Sequence, residues 1–348
     1  MTKKIRFLHT VITLSLVIIA MSGCAKDQKN HLKVLTTDET ENKMVKDIFQ
    51  PFARHTQISV EGDYESDSSL YDKMNKIPNN VDIIEYSEKN AVMANDRKLI
   101  KKIDFSRLKN FKYLSSDKQK IAKKTNSIPY AMSDLVIVYN PITVKKVDYT
   151  FELWNPEQVG QLSLPDISTP LGPDMIQLGN EYSRYKSTSC YVGYDIGNDG
   201  RSALEALQKL QPFTKTYQTT ADLIKSFKKD NTDTAMISSS QVKQIHKALP
   251  DLKFSMPEDV NTVHYQMAAI LKGTKNTEAA YKYLDYRISQ DVQRKASQSM
   301  QKMPVNAVVQ KTDKSYLNYG SKNVITMNYQ YMNEHLPKWT DEWKSIFG

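Results

Sequence analysis

Short β-branched runs alternate with segments of helical spacing from Leu32 almost to the end of the chain. This alternation constrains the fold more than any other feature. Leu32–Thr36 reads as a strand, and Met44, Val45, Ile48, Phe49 and Phe52 then recur at helical spacing. Ile58–Val60 is a second strand, Leu70, Tyr71 and Met74 mark a second helix, and Val81–Ile84 is a third, central strand. Strand, helix, strand in this order argues for right-handed βαβ units on a mostly parallel sheet, an α/β fold. The middle repeats the pattern. Leu135–Tyr139, Leu162–Leu164 and Ala235–Ile237 are strands, while Leu204, Leu207 and Leu210 lie on one helix and Leu223, Ile224 and Phe227 on another. Ala280, Leu284, Ile288, Val292 and Ala296 recur every four residues and predict one long amphipathic helix. At 348 residues the chain exceeds what one hydrophobic core usually holds, so two lobes are expected.

The first residues stand apart from this pattern. Lys3, Lys4 and Arg6 precede the apolar run Val11–Ala20, which is shorter than the ~20 residues a spanning helix needs. A basic start, a short apolar stretch and small residues after it describe an export signal. Met21-Ser22-Gly23-Cys24 resembles the bacterial lipobox, in which the cysteine is lipidated and the chain is cut just before it. The alternative is an ordinary secretory signal with a chance cysteine. Cleavage would leave 325 residues and a net charge of +6 in place of +9, with Cys190 the one free thiol. These features predict a signal over 1–23, a tether over 24–31 and a protein held by its lipid on the outer face of a Gram-positive cell membrane.

Motifs for catalysis or nucleotide binding are missing. No GxGxxG follows the first strand, and there is no GxxxxGK[ST], HExxH, GxSxG or CxxC. The six histidines are scattered and Cys190 has none near it in sequence to act as its base. No enzyme activity, cofactor, metal or nucleic-acid partner is expected, and the basic excess is compatible with a solvated surface.

Several stretches resemble a known family. Lys101-Lys102-Ile103-Asp104-Phe105-Ser106-Arg107-Leu108-Lys109-Asn110-Phe111 is similar to its QKIDKSKLTNF segment, and Ser127-Ile128-Pro129-Tyr130 to its SIPY. Phe151-Glu152-Leu153-Trp154-Asn155-Pro156-Glu157 with Gly160 resembles DLWKPEYKG, and Ala269-Ile270 to Lys275-Asn276 resembles AIPANAKN. On these residues the chain resembles the solute-binding proteins of bacterial ABC importers, above all the spermidine/putrescine-binding family. The resemblance implies a type II periplasmic-binding-protein-like fold, two α/β lobes joined by crossing strands with a ligand cleft between them. One lobe is expected over 32–131 plus 268–308 and the other over 132–267 plus 309–348. The implied partners are a small-molecule ligand, a permease and an ATPase, with the receptor itself monomeric.

The implied ligand site departs from the family's pattern. The first turn reads Thr37-Asp38-Glu39-Thr40, which keeps the glutamate and loses both aromatics. Ser87 matches, but Lys89 stands in place of a tyrosine. The family's acidic pair falls near Ile167 and Pro170, Ser238 replaces a tryptophan, His264-Tyr265-Gln266 replaces Trp-x-Asp, and Lys302 replaces a tyrosine. Tyr130 and Asp134 lie at the expected crossing. Two added lysines and lost carboxylates disfavour a polycation. They favour a zwitterion or an anion such as an amino-phosphonate or phosphate ester. The competing readings are a true polyamine site that has shifted, or a non-transport receptor or enzyme on the same fold. For the residues themselves, either lysine could be a solvated surface side chain. Glu39 could serve the N-terminus of the first helix, and Tyr130 could be interlobe packing.

Overall fold

The computed structural model describes residues 30–38, 41–186, 196–300, 302–313, 323–325 and 327–348. The signal, Cys24, Glu39 and Cys190 lie outside the described residues. Among those described, ten strands form one sheet. They are β1 (His31–Thr36), β2 (Ser59–Tyr64), β3 (Ile83–Ser87), β4 (Ile128–Tyr139), β5 (Leu162–Pro165), β6 (Thr214–Tyr217), β7 (Thr234–Ser238), β8 (Lys253–Ser255), β9 (Asn261–Ile270) and β10 (Val324–Ile325). Their order is β2-β1-β3-β9-β4-β7-β5-β6, with β10 on β9 and β8 on β4.

Two parallel sets flank an antiparallel centre. β1 pairs in parallel with β2 and β3, and β5 does so with β6 and β7. Between them run β4 and β9, antiparallel to each other and to their outer neighbours. The sheet is therefore mixed, more so than the alternation alone implies. β9 pairs with β3 from Gln266 to Ile270. β4 pairs with β9 as far as Asp134, then with β7 from Leu135. Asn261 serves this exchange of partners: its Oδ1 accepts from Leu135 N at 3.0 Å and its Nδ2 donates to Leu135 O at 3.3 Å. A carboxamide thus supplies both bonds where the ladder parts, so the backbone N–H and C=O of Leu135 stay paired.

Hydrophobic packing divides at the same place. One core gathers residues from β1 to Ala131 and again from Tyr265 to Val305. Two others are built mainly from residues between Leu135 and Leu252, and the larger of them takes in Met327 and residues Tyr329 to Trp343 of the C-terminal helix Tyr329–Phe347.

The long helix expected through Ala280 to Ala296 is two helices, Thr277–Arg287 and Gln290–Met300. The apolar period is unbroken, but the backbone turns at Ile288. The carbonyls released there find side-chain donors: Gln293 Nε2 binds Arg287 O at 2.8 Å and Asn306 Nδ2 binds Ile288 O at 3.0 Å. Leu210, also assigned to a helix, falls just beyond Arg201–Gln208 and remains buried.

Candidate functional site

Where β3, β4 and β9 meet, the carboxyl ends of parallel strands from both halves face a common region, the usual place for a ligand in an open α/β sheet. Alternation along β9 puts His264 and Gln266 on one face, opposite Ser133 and Ala131 of β4, with Gln266 also opposite Ser87.

The floor is a buried ion pair. Arg287 Nε donates to Glu85 Oε1 at 2.8 Å, and both side chains are almost fully buried. Tyr283 OH (2.9 Å) and Thr36 Oγ1 (3.0 Å) also donate to Glu85, so the carboxylate is well solvated by protein. The Arg287 guanidinium lies 4.0 Å from the centre of the Tyr130 ring. Burial and the nearby Glu85 hold the Tyr130 phenol well above its ordinary pKa, so Tyr130 stays neutral.

Both substituted lysines are already matched. Lys89 is only 4% exposed, and its Nζ sits 3.7 Å from Asp67 Oδ2 and 5.2 Å from the centre of the Tyr71 ring. Lys302 Nζ lies 3.4 Å from Asp38 Oδ2. Thr37 closes the end of β1 through its N–H to Glu85 O at 3.1 Å. The lysine substitutions thus bring partners with them rather than leaving two bare cations in the cleft.

Ser87 and Ser238 end β3 and β7 as helix caps. Ser87 Oγ accepts from Asn90 N at 3.3 Å, which starts the helix Glu88–Asp96, and Ser238 Oγ accepts from Ser240 N at 3.3 Å. Ser87 N also donates to Asp67 Oδ1 at 3.2 Å. Both serines therefore set backbone direction at the cleft edge. Asp134 is buried, with its N–H donating to Ser239 Oγ at 3.0 Å. Gln266 Oε1 is buried with no hydrogen-bond partner among the described residues.

Two acids that the sequence reading passed over complete the group. Asp174, fully buried in the first turn of the helix Gly172–Lys186, accepts from Thr262 Oγ1 and lies 2.6 Å from His264 Nε2. The other ring nitrogen of His264 is 3.2 Å from Tyr329 OH. Gly172 allows this approach: a Cβ there would run into Asp166 O and Ile167 Cα, so a side chain would push the helix away. The loop 166–171 thus leads into a helix whose acid reaches the cleft several residues later than Ile167 and Pro170. A search along the same loop would have found it.

Glu88, the first residue of its helix, is only partly exposed. Its carboxyl has no hydrogen bond or ion pair among the described residues. Burial pushes its carboxyl up to about 7, against the pull of His264 and Lys124, and Asp174 adds to the push. Burial works against a charged His264, yet Asp174, Glu88 and Asp134 together hold its pKa above the ordinary value. Around the crossing, six carboxyl groups (Asp38, Asp67, Glu85, Glu88, Asp134, Asp174) face five basic ones (Lys89, Lys124, His264, Arg287, Lys302). No group of three or more metal-ligating side chains occurs among the described residues.

A groove of about 1020 Å³ lies elsewhere, between residues 47–56 and 278–295. Two ion pairs line it, Arg107 with Glu278 at 2.7 Å and Lys295 with Asp47 at 3.5 Å.

Comparison with known proteins adds four findings. A family model described as bacterial extracellular solute-binding protein matches residues 47–320. A putrescine-binding periplasmic protein of Pseudomonas aeruginosa is 24% identical over 312 residues, covering 82% of this chain and 81% of that one. Among solved structures, an ABC transporter protein of Clostridium perfringens superposes with a TM-score of 0.78 at 25% identity, covering 91% of this chain and all of that one. The spermidine/putrescine substrate-binding protein of Streptococcus pneumoniae gives 0.70 at 17% identity, covering 90% and 99%. These similarities establish the two-lobed type II binding-protein fold.

Proposed function

We propose that this chain, which belongs to the family of bacterial extracellular solute-binding proteins, captures for an ABC importer a small solute carrying at least one protonated amine. The family is one of extracellular binding proteins, not enzymes. The single observation that carries the ligand class is the charge balance at the crossing, where carboxyl groups outnumber basic ones and both lysines already have acidic partners. An ammonium group entering this region gains charge-assisted hydrogen bonds and relieves crowding among acids. A purely anionic ligand would add to the crowding. A polyamine and an amino-carboxylate zwitterion both satisfy the requirement, and the putrescine-binding relative is in keeping with the first.

In this reading Glu88, Asp174 and Asp134 receive the amine, Tyr130 and Gln266 line the floor, and Ser87 and Ser238 set the rims. The lobes 32–131 plus 268–308 and 132–267 plus 309–348 close by a hinge on β4 and β9. The chain works as a monomer, tethered through a lipid on Cys24 and delivering to a permease and its ATPase. Replacement of Cys24 by Ser should then release the protein into the medium.

Thermal unfolding at pH 8 with putrescine, spermidine, γ-aminobutyrate and glycerol phosphate tests the ligand class. An amine at one hundred times its Kd should stabilise the protein by ~2.7 kcal/mol. Stabilisation by glycerol phosphate alone would overturn the reading.

A further inference from the structure

Asp174 is fully buried, yet only one of its two oxygens is satisfied by the protein. Oδ2 accepts from Thr262 Oγ1 and lies 2.6 Å from His264 Nε2, while Oδ1 is buried with no hydrogen-bond partner among the described residues. A carboxylate accepts and does not donate, so Nε2 carries a proton. In the neutral ring Nδ1 is then an acceptor, and the Tyr329 hydroxyl, 3.2 Å away, is its donor. The chain of bonds runs from Tyr329 on the C-terminal helix, through His264 on β9, to Asp174 on the helix Gly172–Lys186. It ends on a bare acceptor oxygen. Resting on the amine reading above, we propose that Tyr329 and His264 are positioning residues: Tyr329 holds the ring neutral with its proton on Nε2, and that proton anchors Asp174 so that Oδ1 receives the ligand's ammonium. No covalent bond changes.

The direction of the Tyr329 bond sets the charge on the ring. As donor to Nδ1, the hydroxyl gives its single hydrogen to a neutral imidazole. An imidazolium would reverse the bond and leave that buried hydrogen with no other acceptor among the described residues. Burial opposes the imidazolium as well, whereas Asp174, Glu88 of the helix Glu88–Asp96 and Asp134 of β4 favour it. Tyr265, next to His264 on β9, is a phenol kept neutral by burial. Tyr329 stays a donor, because burial and the acids Asp174, Glu88 and Asp67 keep its hydroxyl protonated. The ligand feels the difference. An imidazolium would neutralise Asp174 from within the protein and repel an incoming amine, while a neutral ring leaves the full carboxylate charge for it.

NMR of the imidazole nitrogens reads the ring directly, with His264→Gln to assign its signals. Above its titration midpoint the ring of the empty protein should carry its proton on Nε2. Tyr329→Phe should raise that midpoint by about half a unit to one unit, the worth of one neutral hydrogen bond. Putrescine should lower the midpoint, because the ligand's ammonium and the ring's charge compete for Asp174, and Asp174→Asn should abolish most of that effect. Isothermal titration with putrescine, spermidine and γ-aminobutyrate reads the consequence for binding. Tyr329→Phe should bind several-fold more weakly at about pH 7 and normally at about pH 9, where the ring is neutral with or without the hydroxyl. His264→Gln keeps an uncharged N–H donor and should hold its affinity within about threefold at the higher pH, whereas His264→Ala should lose about tenfold or more. Matching thermal unfolding curves confirm that each variant is folded. A proton on Nδ1, a midpoint unmoved in Tyr329→Phe, a Tyr329→Phe loss equal at both pH values, or equal losses in His264→Gln and His264→Ala would each overturn the inference. Amine binding alongside any of these leaves the amine reading intact. Failure of all three amines to bind would remove that reading and the inference together.

Discussion

Arg287 and Glu85 show how much of this site depends on single buried charges. Each is out of water, and the pair persists because Tyr283 and Thr36 complete the carboxylate's hydrogen bonding. Removing one partner strands the other charge, which typically costs about 3–5 kcal/mol. Arg287→Met should lower the urea unfolding free energy by that order. Adding Glu85→Gln, which is neutral and keeps its acceptor oxygen, should restore most of the loss. A double variant no more stable than the single one would show that packing against Tyr130, not charge, is what Arg287 provides. Residue-scale chemistry of this kind was only partly legible in the sequence. The sequence places Lys89, Lys302 and Asp38 at the cleft, but it shows neither the Lys302–Asp38 nor the Lys89–Asp67 pairing, since pairing depends on side-chain direction. Glu88 and Asp174 are not singled out in the sequence, because nothing in their neighbours announces burial.

At the scale of elements, alternation of apolar runs located most strands and helices, since each buries a face with its own period. What it missed are features decided by distant residues. The break at Ile288 lies inside a perfect four-residue period, and the groups that stabilise it come from Gln293 and Asn306. The lower-than-expected parallel content has a similar origin, since β9 reaches its place between β3 and β4 only through tertiary packing. Gln293 ties several of these elements together. Its Nε2 donates to Tyr130 O at 2.7 Å as well as to Arg287 O, and its Oε1 accepts from Val305 N at 2.7 Å and Asn306 N at 3.3 Å. One buried carboxamide thus joins the crossing strand, the helix break and the segment that carries Lys302. Gln293→Leu keeps a similar volume and leaves four backbone groups without this partner. The expected cost is about 3 kcal/mol or more in urea unfolding, because buried unpaired groups bear their full desolvation penalty. A loss below about 1 kcal/mol would mean that water replaces the side chain there.

For the whole molecule, the net charge of +9 conceals a crossing where acids are in excess, and the two have different consequences. The overall charge governs solubility and encounter; the local excess governs stability against pH. Glu88 is raised from 4.5 to about 7 in the folded protein, so its contribution to stability is fully present below pH 4.5 and is lost as pH rises through 7. His264 is raised from 6.5, so its contribution is present below pH 6.5 and is lost as pH climbs through its higher folded value. Glu181, raised mainly by burial, runs the same way. The carboxyls held low, Glu65, Asp104 and Asp117, gain their stabilisation at lower pH and change little above pH 5. The empty protein should therefore lose stability from pH 5.5 to pH 8. The part due to Glu88 is on the order of 1–2 kcal/mol after discounting for solvent screening at a partly exposed position. With an amine bound the slope should shrink, because the ammonium takes over the role of the protons that have left. Glu88→Gln should flatten the empty protein's profile without ligand. Urea unfolding at four pH values, with and without putrescine, measures all three slopes. A stability that climbs steadily across this window in the empty protein would place the acids of the crossing in water, and the amine site with them.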